Sequence, residues 1–388
     1  MSIQPDRTRA PEAPQHRVTV DLPTGTLVLE GVEPARVAAL CDFAARANPK
    51  RGFLIVSKVL GRHLPTPPQA LRAAADALAA KLPALPGPVL FCGMAETATG
   101  LAQSVWAAWR ARHPGSLSAY VQSSRQTVAH VRVLCRFEEG HSHAASHMVQ
   151  VAGEIEALLP QVRSLVIIDD ECSTGATFVE AAEALVAALP QIEHIAVASL
   201  TDWSAGAFLP RMPRPASAHS LIAGTLHWTP GAGQAAASLA ATANRHGTAP
   251  ATGMRSRTGL LEPEAATRAR IVARPGERVL VLGDGEHAYE ALRVAEEIAA
   301  QGAAPAIQSI TRTPAMLGHA MASVTSLGDA YGSGATCHVY NLLAHRPDRI
   351  VIAAEIAGGQ ADQLRGWLAE AGSPVMVETL LCRYGGPA

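Results

Sequence analysis

Apolar and polar residues alternate over 17–30, with Val18, Val20 and Leu22 before Pro23-Thr24-Gly25 and Leu27 and Leu29 after it. A period of two broken by a turn predicts a short hairpin. A strand is expected at 53–56, and helical spacing follows over 67–82, with Leu71, Ala75, Leu78 and Leu82 on one stripe. A strand–turn–helix rhythm then begins. Strands are expected at 89–92, 119–121, 165–168 and 194–200, with a helix over 97–112 and another carrying Phe178, Ala182, Leu185, Val186 and Leu189. Apolar strands alternating with amphipathic helices predict a parallel sheet covered on both faces. The stretch 229–257 is rich in Ala, Gly, Thr and Pro without periodicity, which suits a loop or linker. After it the rhythm resumes, with strands at 278–282, 306–310, 349–353 and 374–378 and a helix over 287–301. The fold class expected is α/β throughout, in two domains.

At 388 residues, 48% of them hydrophobic and 17% charged, the chain can fill two packed cores. Its formal net charge of −1 gives no basic excess for neutralising a phosphate backbone, so no nucleic-acid partner is expected. The six cysteines are scattered without a C-x-x-C pair, which points away from zinc ribbons and disulfide frameworks. The first residues, 1–16, lack the apolar stretch of a signal peptide, and apolar runs elsewhere fall short of a bilayer span. A cytoplasmic protein without a membrane partner is the expectation.

The chemistry concentrates where an apolar strand runs into Asp169, Asp170, Glu171 and Cys172, then Ser173, Thr174, Gly175, Ala176 and Thr177, before a helix. A helix N-terminus offers unpaired N–H groups and positive dipole to a phosphate. The hydroxyls of Ser173, Thr174 and Thr177 add donors, and Gly175 permits close backbone approach. Two carboxylates at the strand end can accept hydrogen bonds from vicinal sugar hydroxyls. Read from these residues alone, an acidic metal site or a plain turn with a surface acid pair fits as well.

This run resembles the 5-phosphoribosyl pyrophosphate (PRPP) signature of type I phosphoribosyltransferases, two acids followed by a Ser/Thr-Thr-Gly-x-Thr turn. More widely, the chain resembles phosphoribosyltransferase-like proteins of tellurite-resistance-type gene clusters, which join such a domain to a C-terminal TRSP domain. Lys58 in Ser57-Lys58-Val59-Leu60-Gly61-Arg62-His63 belongs to the resemblance, as do Gly93, Met94, Ala95 and Glu96, where type I enzymes hold pyrophosphate. So do Ser123-Ser124-Arg125 and the run from Phe137 to His143, and Thr311-Arg312-Thr313-Pro314 stands in the place of the Thr-Arg-Ser-Pro motif. The implied organisation is a Rossmann-like phosphoribosyltransferase domain with a small N-terminal hood over 17–228, a linker over 229–256 and a TRSP-like α/β domain over 257–388.

The resemblance implies transfer of a phosphoribosyl group from PRPP to a small-molecule acceptor, with magnesium as cofactor, Asp169 and Asp170 as its ligands, and a homodimeric assembly. Asp169 and Asp170 would position the ribose, with Glu171 a candidate base or a plain turn residue. The segment 123–147 falls where such enzymes carry a mobile loop. Arg125 can pair with pyrophosphate oxygens, and His141, His143 and His147 can serve as donors, acid–base groups or metal ligands, or the segment is simply solvated. The loop 93–98 carries no lysine or arginine, leaving charge neutralisation to magnesium, Arg125 or Lys58. Gly283-Asp284-Gly285-Glu286, with Thr311-Arg312-Thr313, Asp329, Tyr331, Gly332, Gly334 and Asn341, lines either a second pocket or structural turns at a domain interface. Two other readings stay open: a PRPP-sensing regulator with little catalysis, and a catalytic second domain served by a donor-binding first one.

Overall fold

The structure is a computed structural model that describes residues 16–48, 51–138, 146–231, 247–249, 255–263 and 271–382. Its first sheet is built on the strand Ser164–Ile168, flanked by Val89–Gly93 and His194–Asp202, all parallel. Ser118–Gln122 and Ala216–Ala223 extend the sheet on either side, also parallel, and Glu171–Cys172 adds a short pairing to the end of His194–Asp202. In sequence order this is a 2-1-3-4-5 sheet. Alternate side chains of each strand go to opposite faces. Val166 and Ile168 join Phe91, Leu78, Trp106 and Trp109 in one core, while Leu165 and Ile167 join Leu90, Phe178 and Leu185 in another. Helices Pro68–Ala79 and Thr99–Arg112 line the first of these faces, and Ala176–Ala188 the second.

The hairpin Arg17–Leu22 and Gly25–Glu30 forms as its alternation predicts, and Thr225–Pro230 pairs with its second strand. With the pair Cys41–Ala45 and Phe53–Ser57 it packs as a separate small core around Leu27, Leu29, Val37 and Trp203.

A second parallel sheet has Arg278–Asp284 between Ala304–Ile310 and Arg349–Ala354, with Met376–Leu381 outside the last. Val279 and Val281 point into the same core as Phe91 and Trp106, and Leu280 and Leu282 into a core shared with helix Gln360–Glu370. The two sheets are thus joined by one continuous apolar core. Helices Thr99–Arg112 and Ala288–Ala300 meet so closely there that a Cβ on Gly100 would lie 3.2 Å from Ala288 Cβ.

The described residues of the segment 123–147 are largely strand, and 139–145 lie outside the described residues. Gln126–Val128 pairs with Gly247–Ala249, and Arg132–Phe137 forms an antiparallel pair with His147–Val151. Its polar residues mislead because Ser123, Ser124, Arg125, Gln126 and His147 are all buried, with most of their polar atoms paired in the interior and Gln126 Oε1 left without a partner. No helix among the described residues is long and apolar enough to cross a membrane.

Candidate functional site

The strands Val89–Gly93 and Ser164–Ile168 are neighbours whose outgoing connections lead to opposite sides of the sheet. Open α/β sheets bind ligands in the crevice outside the carboxyl ends of such a pair. Gly93 is in register with Ile168, and the Met94 N–H donates to the Ile168 carbonyl at 2.9 Å. The turn after Gly93 and the acids after Ile168 therefore lie side by side.

On the acidic side, the Asp169 N–H donates to the Ala198 carbonyl at 3.0 Å and the Asp170 N–H to Asp169 Oδ1 at 2.9 Å. Both residues are half-buried. Burial lifts the Asp170 carboxyl above its ordinary range, against the opposing charges of Arg62 and Arg51. Ser173 and Thr174 are exposed, Ala176 and Thr177 half-buried, and Gly175 caps the helix Ala176–Ala188. Gly175 has a left-handed φ of 75°, and a Cβ there would sit 2.2 Å from the Phe208 ring. Glycine is required on both counts. The cap brings no side chain of its own to the first-turn N–H groups, of which the Ala176 N–H donates to Thr174 Oγ1 at 3.4 Å.

Glu171 does not stand free as a base. Arg51 Nη2 donates to its carboxylate at 2.5 Å, and burial, then the Asp170 charge, raises its carboxyl despite that guanidinium. Asp170 and Glu171 border a small crevice of about 10 Å³ walled by Leu40, Cys41, Ile55, Ser57, Leu200 and Thr201. Burial pushes the Cys41 thiol up to about 12, so it is not a nucleophile near neutrality. Lys58 turns away, donating to the Ala38 carbonyl at 2.8 Å. Arg51 was not singled out in the sequence, where it is one of several basic residues in a polar stretch.

On the other side, Gly93, Met94, Ala95 and Glu96 form a buried turn, and the Ala95–Glu96 peptide is cis. A Cβ on Gly93 would lie 2.4 Å from the Tyr120 hydroxyl. The Ala95 N–H is taken by Ser123 Oγ at 2.9 Å. Glu96 does not face solvent: Arg62 Nη2 donates to it at 2.7 Å, and Arg312 Nε lies 3.6 Å away. Burial raises the Glu96 carboxyl, but Arg62, Arg312 and Arg125 outweigh it and hold the group below its ordinary range. The Arg312 of Thr311-Arg312-Thr313-Pro314 also donates to Asp329 at 2.7 Å.

Arg125 is buried rather than presented from a loop. Its Nη2 lies 3.0 Å from His147 Nε2, and His147 Nδ1 is 2.9 Å from Ser123 Oγ. His147 stacks flat on Phe137, with ring centroids 4.9 Å apart. The expected loop histidine is thus a core residue, while His141 and His143 lie outside the described residues. Glu286, from the second sheet, accepts the Arg125 N–H and the Ser124 hydroxyl, each at 2.7 Å.

Gly283-Asp284-Gly285 ends the first strand of the second sheet, beside the end of Arg349–Ala354. Between these strand ends lies Arg257, wholly buried, donating to Glu286 at 3.0 Å and to Glu355 at 2.9 and 3.0 Å. Of the two readings of these turns, the geometry favours the structural one, since an arginine fills the crevice.

Among the described residues no group of three or more His, Cys, Asp and Glu could hold a metal. Magnesium does not need one, because it keeps its waters and takes one or two carboxylates together with substrate phosphates. The adjacent, half-buried Asp169 and Asp170 fit that donor set.

A family model described as phosphoribosyl transferase matches residues 40–225, and one described as the TRSP domain C-terminal to that transferase matches residues 242–370. No curated protein matches the chain. Adenine phosphoribosyltransferase of Trypanosoma brucei, solved with AMP, pyrophosphate and ribose-5-phosphate, is 15% identical, with 54% of this chain and 87% of that one covered and a TM-score of 0.35. The adenine phosphoribosyltransferase of Thermoanaerobacter pseudethanolicus is 18% identical, with 49% and 98% covered and a TM-score of 0.31. The orotate phosphoribosyltransferase of Aeropyrum pernix is 18% identical, with 49% and 89% covered and a TM-score of 0.29. Likenesses at these scores say nothing of activity. With both models matching in tandem, the chain carries a phosphoribosyl transferase domain followed by a TRSP domain.

Proposed function

We propose that the chain binds PRPP at this switch point and transfers its 5-phosphoribosyl group to a nitrogen of a small-molecule acceptor, releasing pyrophosphate. The observation that carries this reading is the pair of acids, Asp169 and Asp170, set beside an exposed hydroxyl turn at a helix N-terminus. Ser173, Thr174 and the first-turn N–H groups after Gly175 hold the 5′-phosphate. Asp169 and Asp170 accept the ribose hydroxyls and fix the sugar, which lowers the entropic part of the barrier.

Asp169 and Asp170 would hold magnesium, which would supply positive charge against the negative charge developing on the departing pyrophosphate. The bond from the anomeric carbon to pyrophosphate oxygen breaks as the bond to the acceptor nitrogen forms, and the nitrogen's proton goes to the departing pyrophosphate. Glu171 is held by Arg51 and serves to position rather than to take the proton.

The test is pyrophosphate release from PRPP and magnesium across a panel of small nitrogen acceptors. Turnover with at least one of them supports a transferase. PRPP binding without turnover on any of them identifies a sensor instead.

A further inference from the structure

We infer that Arg62 and the C-terminal domain's Arg312 together clamp the pyrophosphate end of the donor, so that the site is complete only where the two domains meet. This rests on the donor reading above. A ribose held by Asp169 and Asp170, with its 5′-phosphate on the 173–177 turn, directs its other end toward the neighbouring turn at Gly93. That turn has no cation of its own and carries an acid, Glu96, where an anion is to be held. An anion site with a buried carboxylate and no cation would repel its ligand. The structure removes the conflict by bringing two guanidiniums onto Glu96.

Arg62 is 3% exposed and donates from Nη2 to Glu96 at 2.7 Å and from Nη1 to the Gly285 carbonyl at 3.0 Å. Its Nε is buried without a hydrogen-bond partner. Interior donors are almost always paired, so an orphaned guanidinium N–H marks a place for an acceptor.

Arg312 keeps 17% of its side chain exposed. Its Nη2 is fixed on Asp329 at 2.7 Å, but its Nε stands 3.6 Å from Glu96, beyond hydrogen-bond length. That edge of the fork can turn to a phosphate oxygen, whose geometry it matches. The second domain also braces the turn through Glu286, which fixes Ser124 and Arg125 beside the Ser123 that holds the Ala95 N–H.

The test is calorimetry with magnesium on the full chain, titrating PRPP, inorganic pyrophosphate and ribose 5-phosphate into the wild type, Arg312→Ala and Arg312→Lys. The last ligand lacks the pyrophosphate and separates a binding role from a structural one. The expected result for Arg312→Ala is loss of PRPP and pyrophosphate affinity by about ten- to a hundredfold, the size of a charge-assisted hydrogen bond. Ribose 5-phosphate affinity should stay within about twofold, and Arg312→Lys should recover part of the loss. Equal loss for all three ligands, or no loss for any, overturns the proposal while leaving the functional reading in place. A wild type that binds none of them overturns both.

Discussion

Arg257 Nη1 donates to both carboxylate oxygens of Glu355, at 2.9 and 3.0 Å, with neither side chain reaching solvent. Its Nε holds Glu286 at 3.0 Å, and Glu286 in turn holds Ser124 and Arg125 of the first domain. One buried arginine therefore ties the second sheet's strand ends to the segment beside the candidate site. Replacing it by alanine leaves two carboxylates buried without their cation. Breaking a buried pair in this way costs about 3–5 kcal/mol. Urea unfolding of Arg257→Ala should show a loss of that order, and a loss below about 1 kcal/mol would mean that the ion-pair chain is not what fastens the domains.

Gly175 supports a sharper contrast. Alanine there meets a left-handed backbone and the Phe208 ring together, whereas alanine at Gly153 meets a φ of 72° with nothing within 4 Å. Gly153→Ala should cost only the backbone penalty, about 1–2 kcal/mol. Gly175→Ala should cost more than Gly153→Ala and should also weaken donor binding by at least about tenfold, because the helix N-terminus must shift. Melting curves and PRPP titrations on both variants check this. Equal effects on stability and binding would remove the steric argument.

The Asp284 carboxyl is pushed up to about 7, by burial first and then by the charges of Asp329 and Glu96, against Gln360 and Arg312. A raised carboxyl means that the folded chain holds a proton the unfolded chain has released. Its contribution to stability is then full below the unfolded value near 4, declines as pH rises, and is lost above about 7. The slope from this group is at most about 1.4 kcal/mol per pH unit. Asp284→Asn should flatten the stability profile between pH 4 and 7 and gain on the wild type above it. Unchanged pH dependence in the variant would show that Asp284 is not the group responsible.

Most of the parallel framework was legible in the sequence, because buried parallel strands are short apolar runs and the helices between them carry a clear stripe. The strand–turn–helix around Asp169 to Thr177 was legible too, since it combines acids, hydroxyls and a glycine in an order that few turns need. The segment after Ser123 was misread for a physical reason. Its polar residues satisfy one another and Glu286 in the interior, so composition suggests solvent where packing provides partners. Lys58 and Arg62 looked alike as basic residues, and only the fold sends one to the Ala38 carbonyl and the other to Glu96. The strand Ala216–Ala223 and the helix Gln360–Glu370 were missed, the first because Ser217, His219 and Ser220 interrupt its apolar run and the second because its stripe is weak.

The central claim is that Asp169 and Asp170 form the sugar side of a PRPP site. The most direct measurement is calorimetric titration of PRPP with magnesium into the wild type and into Asp169→Asn/Asp170→Asn, with melting temperatures to establish that both are folded. The account predicts tight binding by the wild type and its loss, by about a hundredfold or more, in the folded double variant, as two hydrogen bonds to charged groups are removed. A wild type that does not bind PRPP at millimolar concentration, or a double variant that binds it equally well, would contradict it.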